Sequence, residues 1–118
     1  MNAKETYRTY RLKVYFTLLD KEYGRTKPIQ NGYRPSISFS NSKRYFSGEI
    51  HLIGSDILQP SQSAYAIIKL LPAKTIPKSL EIGNSFTLFE GKKIVGSGVI
   101  VDNVSNVEAE LITILTKS

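Results

Sequence analysis

The chain has 118 residues, 41% of them hydrophobic, and carries a net charge of +6. That length suits one domain with a core large enough to fold without covalent staples. The absence of cysteine excludes disulfides and thiolate metal sites. The single histidine, His51, cannot make a zinc cluster alone.

Charge is unevenly placed. Residues 1–44 hold ten Lys/Arg against three acids, and the remainder holds six against seven. Six of the seven tyrosines also fall in the first 45 residues. Basic and aromatic residues in one region suit a polyanion, because Lys and Arg pair with phosphate and rings stack on bases. They also fit a plain domain with a basic arm. No apolar run approaches the roughly 20 residues of a membrane helix. Val14–Leu19 is too short and interrupted for a secretory leader, and no small-residue cleavage site follows it. A cytoplasmic protein without membrane attachment is expected.

Residues 1–10 read as a flexible basic N-terminal arm. Lys13–Leu19 is rich in β-branched and aromatic residues and predicts a strand. Asp20-Lys-Glu-Tyr-Gly24 ends it, and the polar stretch to Asn31, with Pro28, predicts a long surface loop. Ser36-Ile-Ser-Phe-Ser40 and Tyr45–Ile53 alternate on either side of turn residues, the pattern of an antiparallel hairpin. Within the second arm, His51 alternates with apolar residues, which places it on a strand face rather than in a ligand set. Gly54–Gln62 predicts another loop. Ala64–Leu71 is almost continuously apolar, as in a strand covered on both faces or set in a barrel. Pro72 and Pro77 bracket a connection. Phe86–Glu90 and Lys93–Val101 flank Gly91-Lys92, a second tight hairpin. In the tail, Ser105-Asn-Val-Glu108 can cap a short helix, while Leu111-Ile-Thr-Ile-Leu115 also fits a strand. About six strands with few helix signals predict an all-β barrel or sandwich.

Two stretches carry more specific information. In Asn31-Gly-Tyr-Arg-Pro35, Gly32 permits a positive φ and Pro35 holds Arg34 extended. Tyr33 and Arg34 are then expected along the barrel wall, with the Arg34 guanidinium on loop carbonyls. In Gly96-Ser-Gly98, two glycines inside a strand predict a bulge or a close backbone approach. With Ser47-Gly48 in the first hairpin, these residues specify the fold.

Taken in order, Gly24-Arg-Thr-Lys-Pro-Ile-Gln-Asn-Gly-Tyr-Arg-Pro35, Ser47-Gly48 and Glu90-Gly-Lys-Lys-Ile-Val-Gly-Ser-Gly-Val99 resemble the third, C-terminal domain of elongation factor Tu. The resemblance implies a six-stranded antiparallel β-barrel over residues 11–104, standing alone, with residues 105–118 as an extension beyond it. In that family the domain packs on a GTPase domain and a second barrel. It also contacts an exchange factor and touches the T-stem of tRNA. Carried over by position, Ser36 replaces a T-stem-binding glutamine and Ser47 keeps a threonine's hydroxyl. Glu90 and Gly91 keep two residues of a Glu-Gly-Gly tip, and Arg25 corresponds to a loop arginine near the tRNA. Arg25, Lys27, Lys92 and Lys93 would supply phosphate-binding charge.

The chain contains neither a Gly-x-x-x-x-Gly-Lys-[Ser/Thr] phosphate loop nor an Asn-Lys-x-Asp motif. GTP binding in the parent's manner, a cofactor, a metal and catalysis are therefore not expected. The expected role is a non-catalytic binding module that imitates the translation factor and engages a protein, one candidate being a partner of elongation factor Tu. The alternative is RNA binding, with tRNA first, through the basic loops.

Overall fold

The structure, a computed structural model, describes residues 10–40, 44–71 and 80–104. The readings of the arm before residue 10, the Pro72–Pro77 connection and the tail after residue 104 lie outside them. The described chain forms β1 (Tyr10–Leu18), β2 (Ile29–Gln30), β3 (Ser36–Phe39), β4 (Phe46–Leu52), β5 (Ile57–Leu58), β6 (Ser63–Leu70), β7 (Ser85–Glu90) and β8 (Lys93–Asn103). Six of these close into an antiparallel barrel in the order β1-β6-β4-β3-β7-β8. The all-β class and the six-stranded barrel are thus as the sequence predicts.

Alternation builds the core. Leu12, Val14, Phe16 and Leu18 on β1 face inward, as do Ile50 and Leu52 on β4 and Ala66, Ile68 and Leu70 on β6. Phe16, Phe39 and Phe86 are the largest fully buried side chains. Burying each such ring stabilises the fold by roughly 1.5–3 kcal/mol relative to exposure. Ala64–Leu71 proves one-sided. Tyr65 is exposed, and Ile67 and Lys69 are half-buried on the outer face.

Both segments read as loops contain a strand. Ile29 pairs with Leu58 and Gln30 with Ile57, making a two-stranded sheet of β2 and β5 outside the barrel. Ile29 and Leu58 are buried under it, so two short apolar positions inside polar stretches close one region of the core.

The glycines of β8 fit by proximity. A Cβ on Gly98 would lie 2.4 Å from the Tyr15 carbonyl oxygen and 2.7 Å from Phe86 Cζ, and one on Gly96 would lie 2.8 Å from the Thr17 oxygen. Strands β1 and β7 can therefore flank β8 only where side chains are missing. The bulges sit elsewhere. Leu88 pairs with Gly96 and Phe89 with Ile94, leaving Val95 extra; Lys13 pairs with Asp102 and Val14 with Ile100, leaving Val101 extra. Such extra residues bend and twist β8 as closure requires. Gly48 serves similarly on β4, where a Cβ would meet Ile37 Cδ1 at 2.6 Å and Ile68 Cγ2 at 2.8 Å.

Candidate functional site

Asn31–Pro35 runs antiparallel to β4. Leu52 N–H donates to Asn31 Oδ1 at 2.7 Å, Gly32 N–H to Ile50 O at 2.9 Å, Ile50 N–H to Tyr33 O at 2.8 Å and Gly48 N–H to Pro35 O at 3.4 Å. Gly32 takes a φ of +93° where the chain turns into this alignment. In an extended segment successive side chains point to opposite faces. Pro35 is buried, Tyr33 half-buried and Arg34 exposed.

That parity corrects the role expected for Arg34. Its guanidinium donates to Glu49 Oε2 from Nε at 3.0 Å and from Nη2 at 2.8 Å, and among the described residues it bonds no loop carbonyl. His51 Nε2 lies 2.6 Å from Glu49 Oε1. These three side chains form a cluster on the outer wall. The hydrogen bond from Arg34, then that with His51, holds the Glu49 carboxyl below the ordinary carboxylate range.

The loop carbonyls are bonded by Arg25 instead. The Asp20–Gly24 turn, closed by Gly24 N–H on Asp20 O at 2.8 Å, delivers Arg25 inward. Arg25 Nε donates to Lys27 O and Nη2 to Pro28 O, each at 3.2 Å. Its guanidinium lies 4.8 Å from the centre of the Tyr33 ring, a cation–π geometry. Arg25 Nη1 and the Tyr33 hydroxyl both donate to Glu90 Oε2. The two motifs therefore meet at one carboxylate. Burial would raise the Glu90 carboxyl, but the bonds from Tyr33 and Arg25 outweigh it and hold it below the ordinary range. Burial, then Glu90, pushes the Tyr33 phenol well above its ordinary value. Burial opposes the charge on Arg25, yet Glu90 raises its pKa overall.

Several predicted RNA contacts surround this knot. Gly24, Arg25, Thr26, Lys27, Glu90 and Lys93 line an open cleft of about 250 Å³. Gly91 and Lys92 form the adjoining β7–β8 turn, with Gly91 at a φ of +60°. Positive φ at the first central residue is the type II′ pattern that suits the strand twist, and glycine adopts it without strain. Lys27, Lys92 and Lys93 are exposed around the cleft. Ser36 and Ser47 are brought together one strand over from the β7 end that carries Glu90. They pair with each other across β3 and β4, and Ser36 pairs with Phe89 on its other side. Arg25 and Glu90 are thus committed to each other, while the three lysines remain at the rim.

One surface is not apparent in the sequence. Tyr15 pairs with Tyr65 on one side and Val99 on the other, and Ile53 N–H donates to Tyr65 O at 2.9 Å. Ile53, Tyr65, Tyr15 and Val99 therefore form a row crossing β6, β1 and β8 from the end of β4. Their exposures are 46, 49, 40 and 38%. The Tyr15 and Tyr65 rings pack at 4.7 Å, and Lys13 Nζ lies 5.7 Å from the Tyr65 ring centre. Tyr15 stands out of phase with Val14 and Phe16, which was the available signal. Assembling the row needed the cross-strand register.

No protein-family model matches the chain. Among the described residues, no group of three or more His, Cys, Asp or Glu could hold a metal ion. Among them, too, no helix is long and apolar enough to cross a membrane.

Proposed function

We propose that this chain is a non-catalytic binding module that docks a protein through the outer wall of its barrel. The observation that carries this reading is the Ile53–Tyr65–Tyr15–Val99 row. Four large apolar side chains stand exposed side by side on neighbouring strands. A contiguous apolar patch of this kind marks interaction surfaces, whereas single exposed apolar residues do not. The motif resemblance adds a more specific proposal: a barrel like the third domain of elongation factor Tu, imitating that factor without its GTPase machinery and competing for one of its partners.

The test is affinity capture with the wild-type chain, a Tyr15→Thr/Tyr65→Thr variant and a Lys92→Ala/Lys93→Ala variant. A stoichiometric protein retained by wild type and the lysine variant, but lost from the tyrosine variant, is expected. Equal capture by all three rejects the wall as the docking surface.

RNA binding at the hairpin tip is the second reading, favoured by the exposed Lys27, Lys92 and Lys93 around the cleft. It requires tRNA to bind at about 50 mM salt with a steep salt dependence that the lysine variant flattens. Because Arg25 is held by Glu90, Arg25→Ala should reduce that binding less than the double lysine change.

A further inference from the structure

We propose that the Asn31–Gly32 linkage is a spontaneous modification site, a deamidation site that strand β4 keeps latched and whose isoaspartyl product releases the segment carrying Tyr33 and Arg34. It is the one Asn-Gly pair in the chain. Asparagine is thermally labile, and a following glycine leaves its own backbone nitrogen unshielded by a Cβ. The reaction needs only water and solvent base. The Gly32 nitrogen gives up its proton and bonds to Asn31 Cγ. The Cγ–Nδ2 bond breaks, and Nδ2 leaves as ammonia with a proton from water. Water then opens the cyclic imide at either carbonyl. Opening at Cγ gives aspartate. Opening at the main-chain carbonyl gives isoaspartate, whose backbone runs through the former side chain.

The fold restrains both reacting groups. Gly32 N–H donates to Ile50 O at 2.9 Å, so the attacking nitrogen is occupied. Leu52 N–H donates to Asn31 Oδ1 at 2.7 Å. Only the amide oxygen can accept that bond, which fixes the amide's orientation and turns Nδ2 toward Asp56 Oδ1, 3.5 Å away. Cyclisation requires the nitrogen to leave Ile50 and Cγ to swing away from Leu52. Both holding groups belong to β4, two residues apart, so one local opening frees both. Asn31 and Gly32 are exposed, so water reaches the pair once it opens.

The products differ in what they can restore. Aspartate keeps an oxygen for Leu52 N–H, though it sets a second carboxylate against Asp56. Isoaspartate adds one carbon to the main chain before Gly32 and leaves an α-carboxylate where the side-chain amide stood. It cannot satisfy Leu52 and also keep Gly32 and Tyr33 in register with Ile50. The residues that follow carry the two acid contacts, Tyr33 to Glu90 and Arg34 to Glu49. A change at position 31 therefore reaches both the hairpin tip and the outer wall, and the lost ammonia makes it one-way.

The test incubates the full chain in mildly alkaline buffer, native and unfolded in urea, and follows Asn31 by peptide mass mapping with isoaspartate resolved. Conversion is expected in urea, at least about tenfold faster than in the native chain. No conversion in urea overturns the site, and equal rates overturn the latch. In urea too dilute to unfold the chain, the native rate should barely change, as for an opening that exposes little surface. A rate that climbs as steeply as global unfolding assigns the protection to the whole barrel and also overturns the latch. The refolded isoaspartyl chain, separated by its added negative charge, should melt below both wild type and Asn31→Asp. Tyr33→Phe should destabilise it less than it destabilises wild type, because the bond to Glu90 is already lost. An isoaspartyl chain that melts like wild type overturns the release.

Discussion

Arg25 and Arg34 each hold a glutamate, yet the two pairs are built differently. At the hairpin tip, Arg25 is only 22% exposed, lies over the Tyr33 ring and shares Glu90 with the Tyr33 hydroxyl. On the outer wall, Arg34 is 62% exposed and meets Glu49 with solvent on its open side. The first pair joins the loop after β1 and the approach to β3 to the end of β7, far away in sequence. The second joins neighbours on one surface. An ion pair contributes to stability mainly when it excludes water and satisfies other polar groups. The tip knot should therefore act as a clamp, and the wall pair as a solvated contact.

Removing the shared acceptor is the hardest test of that contrast. In Glu90→Ala, the Arg25 guanidinium and the Tyr33 hydroxyl lose their common partner while half-covered by the loop. The expected loss is about 1–2 kcal/mol, after allowing for the solvent that reaches the rim. Denaturant unfolding measures it. Glu49→Ala should cost far less, and equal losses in the two variants would dissolve the distinction.

Acid and base should separate the regions further. The Glu90 carboxyl is held below its ordinary value in the folded chain. Its contribution is thus present above about pH 4.5 and is lost as pH falls through the lowered folded value. The Tyr33 phenol is raised, so its contribution is present below about pH 10 and declines as pH climbs toward the folded value. Thermal melts across pH should show both wings in the wild-type chain. Glu90→Gln should remove most of the acid wing from this site. Tyr33→Phe keeps the ring beneath Arg25 and should remove the alkaline wing, at a cost of about 0.5–1.5 kcal/mol near neutrality. If both wings persist in these variants, the knot is not the group that titrates.

The barrel was legible because its devices are local. Alternation located β3 and β4, β-branched and apolar runs located β1 and β6, the Gly91-Lys92 turn marked the hairpin of β7 and β8, and Gly96 and Gly98 marked a close approach. β2 and β5 escaped because two-residue strands carry no period, and only Ile29 and Leu58 hinted at burial. The partners of Arg25 and Arg34 were not legible for another reason. Composition identifies a cation, but which way it points depends on the alignment of Asn31–Pro35 against β4 and on the Asp20–Gly24 turn. The apolar row was hidden more deeply. Its four residues are scattered from Tyr15 to Val99 and become neighbours only through the register of four strands.

The smallest expected effect is the most discriminating for Arg34 itself. If this arginine braced the barrel through loop carbonyls, Arg34→Ala would cost as much as losing a buried network. In the observed geometry it leaves Glu49 half-buried and still beside His51, and the lost pair is open to solvent on the Arg34 side, so stability should change by no more than about 0.5 kcal/mol. The change should shrink further at high salt, where an exposed pair is screened. Arg25→Ala, measured beside it, should cost about 1 kcal/mol or more, because Glu90 and the carbonyls of Lys27 and Pro28 all lose a donor. A larger loss for Arg34 than for Arg25 would reverse the assignment and return the structural role to the arginine of Gly32-Tyr-Arg-Pro35.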